Sequence, residues 1–177
     1  YPLPEAALDR FLFLIRVDYP SDAEEAEILR RTTGAEDAEV EQVLTAEELI
    51  SLQNLVRKVP VAEPVLQYAV ALARRSRPNQ PNTPAFINQW VTWGAGPRAS
   101  QNMILAAKAR ALLHGNLHVS ADDVNAVAPA VLRHRLLTNF AAQAEGITAD
   151  DIVARLIQET EAHPSALDGE RATGIGS

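Results

Sequence analysis

Cysteine is absent from the 177 residues, which excludes a disulfide framework, a thiolate zinc site and a cysteine nucleophile. A chain without thiols fits a reducing cytosol, and a cytoplasmic location is the expectation. Positive charge is short as well: Lys and Arg number 16 against 23 Asp and Glu, a net charge of −7. Electrostatics therefore argue against nucleic acid or an anionic membrane surface as partner. They also argue against a transcriptional regulator, which needs a basic recognition helix. No apolar run approaches the roughly 18 residues of a membrane span, and no signal-like segment opens the chain. A Gly-x-x-x-x-Gly-Lys-Ser/Thr phosphate loop, a nucleophile elbow and any internal repeat are missing too. No metal site is expected. His114 and His118 are four apart, but Gly115 and Asn116 break the helix that would align them. His134 lies between Arg133 and Arg135, a cationic setting that repels a divalent ion.

What is present is an ordinary globular composition, 47% hydrophobic and 22% charged, enough for one or two small domains. The chain is organised around Gly94-Ala95-Gly96-Pro97-Arg98-Ala99-Ser100. Two glycines interrupt what precedes, and Pro97 suits the first position of a new helix, where its missing N–H is no loss. From Arg98 to His114 the residues read as helix, closed by Gly115. Its apolar residues spread round most of the circumference, as in a helix at the middle of a bundle. Arg98 is the anomaly. A cation in the first turn opposes the helix dipole at a cost of about 0.3–1 kcal/mol. The same turn offers free N–H groups to an anion. Arg98 is therefore either part of a phosphate seat or a surface arginine paired with a nearby carboxylate.

In chain order, residues 1–10 give a proline-stiffened opening with one turn of helix, and Phe11–Tyr19 reads as a strand. Its first half is apolar on both faces, as in a sheet covered on both sides, yet nothing else in the chain offers a parallel partner. A lone strand leaves its backbone unpaired, so its sheet is expected upstream of Tyr1, and the chain reads as a fragment. Ser21 with Glu24 and Thr45 with Glu48 form capping boxes. They open helices to about Thr33 and to just before Pro60, with a mixed acidic linker at 35–44. Further helices are predicted over 63–77, from Ser120 to about Leu137 with a bend at Pro129, and from Ala149 to Glu161 after the Thr148 cap. Arg74, Arg75 and Arg77 read as a C-terminal charge cluster and Trp90 and Trp93 as packing anchors. The last residues, from Pro164, read as a mobile tail.

Three stretches resemble one family. Tyr1-Pro-Leu-Pro-Glu-Ala-Ala-Leu-Asp-Arg-Phe11 is similar to the segment after the first sensor motif of MoxR-family AAA+ ATPases. Trp93-Gly-Ala-Gly-Pro-Arg-Ala-Ser-Gln101 resembles their second-sensor motif. Val131-Leu-Arg-His-Arg-Leu136, with Asn139-Phe140 and Ala144-Glu-Gly146, resembles their C-terminal signature. The resemblance implies a mainly α fold: a helical lid, residues 21–163, preceded at 1–20 by the last strand of an α/β core that lies upstream, and followed by a tail at 164–177. It implies a ring-forming, chaperone-like ATPase that matures or activates client proteins. Its partners would be its own nucleotide-binding core and neighbouring subunits in a hexamer, with ATP and magnesium as cofactors of the full-length protein. None is expected to bind this segment tightly. By the same resemblance Arg10 is the arginine finger, reaching a neighbouring subunit's nucleotide, and Arg98 is the second-sensor arginine, with Gly96 and Pro97 beside it. Asp9 either orients Arg10 or bonds the backbone, and Arg133, His134 and Arg135 serve lid packing. The alternative is a non-catalytic helical interaction module.

Overall fold

The computed structural model describes residues 3–34 and 40–161. The expected tail at 164–177 and residues 35–39 of the linker lie outside these. The elements, in chain order, are α1 (Glu5–Leu8), α2 (Asp22–Thr32), α3 (Ala46–Lys58), α4 (Glu63–Arg75), α5 (Ala85–Trp90), β1 (Val91–Trp93), α6 (Pro97–Leu113), α7 (Ala121–Leu132), β2 (Leu137–Thr138), α8 (Phe140–Ala144) and α9 (Ala149–Glu161). The chain divides into two compact units, residues 15–54 and the remainder.

In the smaller unit, Ser21 and Glu24 form the expected reciprocal cap of α2, and Thr45 and Glu48 exchange the same pair of bonds ahead of α3. No residue of α2 or α3 is fully buried, and Ile28, Leu29, Leu49 and Leu52 are exposed. Leu55 is exposed as well and Val56 half-buried, so α3 adds nothing to the core among the described residues.

The larger unit is built on α4, α6, α7 and α9. Leu72, Met103, Val124, Val131, Leu132, Ile152 and Leu156 are shut off from solvent at their junction. Alanines 69, 73, 99, 107, 111 and 128 are fully buried there too, and small side chains let helix backbones approach closely. The long helix α6 packs on α7 and α4, but it is not enclosed. Leu105 and Leu113 are exposed, because Ala99, Met103, Ala106, Ala107 and Ala111 confine its buried surface to one broad stripe. A short antiparallel pairing of β1 with β2 ties α5 to α8, an element pair too brief to leave a periodic signal.

The structure departs from expectation at three further places. Phe11–Tyr19 bends at its start and joins no ladder among the described residues, since a strand needs a partner edge to form one. Helix α7 stops at Leu132 rather than Leu137. Pro129 lies inside its last turn and cannot donate a backbone bond, and the chain turns at once through Arg135 N–H to Leu132 O, 2.8 Å. Trp93 is 71% exposed and anchors nothing. Trp90 does pack, under the Arg155 guanidinium and with its Nε1–H on Glu145, 3.1 Å.

Asp123 links the N-terminus of α7 to α6. Its buried carboxylate accepts from Ser120 N–H at 3.0 Å, Ser120 Oγ at 2.8 Å and Arg110 Nη1 at 2.6 Å. Burial by itself would raise the Asp123 pKa, but these bonds and the Arg110 charge hold it below the usual carboxylate value. A carboxylate with a lowered folded pKa stabilises fully above its unfolded value, near about 3.9, and less as pH falls through the folded one. Asp123→Asn is expected to cost about 1–3 kcal/mol at neutral pH. In urea unfolding, the gap between parent and variant should narrow from pH 6 to pH 3. A gap that stayed constant would show that the charge of Asp123 contributes nothing.

Candidate functional site

Residue Gly94 brings the start of α6 against the end of α4. A Cβ there would stand 2.3 Å from Ser76 O and 2.6 Å from Arg77 Cα, so only glycine allows this approach. The contact is then fastened by Ala95 N–H to Ser76 Oγ at 3.0 Å and Arg77 Nε to Ala95 O at 2.8 Å. Ser76 and Arg77 thus aim the turn. The run of arginines around them read as surface charge and concealed this. At Gly96, by contrast, a Cβ would meet nothing within 4 Å. Gly96 is the N-cap of α6, in extended conformation, and Pro97 is the first helical residue as expected. With no cap side chain, no N–H on Pro97, and Ala99 N–H already given to Gly96 O at 3.1 Å, the first turn of α6 keeps the N–H of Arg98 available to an anion.

Arg98 is exposed, and Nη1 lies 2.6 Å from the Asp9 carboxylate. Of the two readings open to it, pairing with a carboxylate is the one this structure displays. Asp9 does not stop at Arg98. Its other oxygen accepts from Arg135 Nε at 3.0 Å, so one carboxylate bridges an arginine of α6 and one just beyond α7. Arg10, the next residue, is exposed, and its side chain makes no hydrogen bond or ion pair among the described residues. The structure therefore gathers Asp9, Arg98 and Arg135, with Arg10 next to Asp9 in the chain. Asp9 and Arg135 are the members whose part sequence reasoning left undecided or missed.

The Arg135 side chain is 1% exposed. Besides Asp9 Oδ1, it donates to the carbonyls of Asp9 and Phe11, each at 2.7 Å, to Leu12 O at 3.5 Å and to Val131 O. Burial lowers its pKa and Asp9 opposes that, but a guanidinium starts too high to lose its proton near neutrality. His134 lies beside it. Burial and the Arg135 charge hold its pKa below the usual imidazole value, so the ring is neutral at pH 7. Its Nε2 lies 2.8 Å from Arg135 Nη1 and 3.2 Å from Phe11 O. Its Nδ1 is buried and has no partner among the described residues. Arg133 closes the set, with Nη1 on Leu14 O at 3.3 Å and an ion pair to Asp150 at 3.0 Å. The rest of the signature is structural. Asn139 caps α8 through Ala142 N–H, Glu145 receives Trp90, and Gly146 adopts φ +71°.

Residues 86–156 match the family model for the AAA lid domain. The chain is similar to the chaperone MoxR1 of Mycobacterium tuberculosis, at 39% identity over 89% of this chain and 42% of that protein. It is similar also to YeaC of Bacillus subtilis, an uncharacterized protein, at 37% identity over 89% and 47% of the two chains. Among solved structures it resembles a protein of Cytophaga hutchinsonii described as a "putative ATPase". There the TM-score is 0.81 at 29% identity, over 89% of this chain and 48% of that one. The chain thus spans less than half the length of the relatives it matches.

Proposed function

Because this chain belongs to the MoxR family of AAA+ ATPases, of which it is a C-terminal, lid-bearing portion, we propose that it completes the ATPase site of a ring. In this reading Arg98 binds phosphate within its own subunit, Arg10 reaches the nucleotide of the neighbouring one, and ATP turnover drives maturation of a client protein. The observation that supports it is that Arg98 is bound to Asp9, the residue next to Arg10 in the chain. Two segments nearly ninety residues apart in sequence meet where one cation is bound to a carboxylate and the next is left free.

Phosphate would take the place of the Asp9 carboxylate on Arg98. Both are anionic oxygen acceptors, and phosphate carries the greater charge and suits a guanidinium fork. The first turn of α6 adds the N–H of Arg98. Asp9 would not be stranded by the exchange, since Arg135 retains it. Magnesium does not fit these residues, because the carboxylate at this site is already engaged by two guanidiniums. The ion and the phosphate loop belong to the upstream core in this reading.

The purified chain is accordingly expected to show no ATP hydrolysis, whereas the full-length protein hydrolyses ATP with magnesium. Turnover is measured as phosphate release across successive purification steps. Magnesium-dependent activity that stays with the chain at constant specific activity would overturn the proposal.

A further inference from the structure

The terminal carbonyls of a helix need partners, and one of those of α7 finds its partner in the segment that carries Arg10, another in Arg135. Ala130 O accepts from Leu14 N–H at 2.9 Å, and Val131 O accepts from Arg135. Arg135 in turn grips that segment on both sides of Arg10: the carbonyls of Asp9 and Phe11 flank it, and the Asp9 carboxylate precedes it. A planar guanidinium donating in several directions fixes position and angle together, which a single bond cannot do. Near-total burial leaves the Arg135 side chain no freedom to swing away. The Arg10 side chain, by contrast, makes no hydrogen bond or ion pair among the described residues, so what the lid holds is the backbone on either side of it.

We propose that Arg135 is a positioning residue for Arg10, a clamp by which the lid fixes the height and direction of the residue that reaches the neighbouring nucleotide. The proposal rests on the reading of Arg10 as an arginine finger. It gives Arg133, His134 and Arg135 a role beyond lid packing: the lid of one subunit, by moving, carries its finger relative to the next subunit's nucleotide. A displacement of about 1 Å at a reacting centre costs on the order of a hundredfold in rate.

The test is a double-mutant cycle in the full-length protein, read by single-turnover hydrolysis and by nucleotide binding. Arg135→Gln is expected to lower the rate about 100-fold with nucleotide affinity unchanged, and in an Arg10→Ala background to lower it no further. Arg135→Lys, which keeps the buried charge and can reach fewer acceptors, should show a smaller loss with the same lack of additivity. It stands in if Arg135→Gln does not fold. A full rate in the folded variants, weakened nucleotide binding, or losses that multiply with Arg10→Ala would each overturn the clamp. If Arg10→Ala alone leaves the rate unchanged, the finger reading fails and the clamp with it. If Arg10→Ala abolishes turnover and Arg135→Gln does not, the clamp alone fails.

Discussion

Replacing Arg10 with alanine in the full-length protein is expected to lower ATP turnover by about 10³-fold or more while leaving nucleotide binding nearly intact. The size follows from where the charge acts. An arginine that meets the transferring phosphoryl group stabilises charge that develops in the transition state, so its removal is felt in kcat. The structure gives a reason to trust the specificity of this substitution. Arg10 is exposed and makes no side-chain bond among the described residues, so the fold does not depend on it. Arg98→Ala should behave differently. A guanidinium at a helix start meets phosphate already in the ground state, so nucleotide affinity falls along with turnover. Its loss also removes one of the two cations on Asp9, although Arg135 remains. Steady-state kinetics together with binding of a fluorescent nucleotide separates the two. Identical profiles for both variants would contradict the division of roles.

The second large effect is structural. Gly94→Ala places a methyl group 2.3 Å from Ser76 O and 2.6 Å from Arg77 Cα, both of them backbone atoms that cannot rotate out of the way. The turn before α6 must then lift off α4, giving up the bonds from Ala95 N–H to Ser76 and from Arg77 to Ala95 O. The expected cost is about 3 kcal/mol, the upper end for overpacking. Gly96→Ala should cost no more than about 1 kcal/mol, from a poorer helix cap alone, because a Cβ there meets nothing. Urea unfolding of the two variants side by side measures the difference. Equal losses would show that the close approach at Gly94 is not what holds the turn.

These two glycines also show how far the sequence could be read. Helix starts were legible wherever a polar residue and a partner three positions on report on backbone a single turn away, as at Ser120 and Asp123. Pro97 as first residue of α6 was legible for the same local reason. Contacts between distant segments were not. Gly94 and Gly96 look equivalent in sequence, and only the proximity of Ser76 tells them apart. Arg133, His134 and Arg135 could be matched to a signature, but their hold on residues 9–14 depends on a fold that brings positions over a hundred residues apart together. The strand expected at Phe11–Tyr19 has the right alternation of side chains. Pairing is a property of two segments, and periodicity in one says nothing of the other. At Arg98 the residues left two readings open. The structure shows the carboxylate partner, and the same geometry explains how phosphate could replace it.

If Arg10 acts between subunits, rings mixed from two inactive variants recover activity. Full-length Arg10→Ala is combined with a variant whose phosphate-loop lysine is replaced; each is expected to be inactive by itself. In a mixed ring, the intact nucleotide site of an Arg10→Ala subunit faces an intact Arg10 donated by its lysine-less neighbour. ATP turnover should therefore return on mixing. Turnover that stays at the level of the separate variants, in rings shown by crosslinking to contain both, would show that Arg10 does not act between subunits.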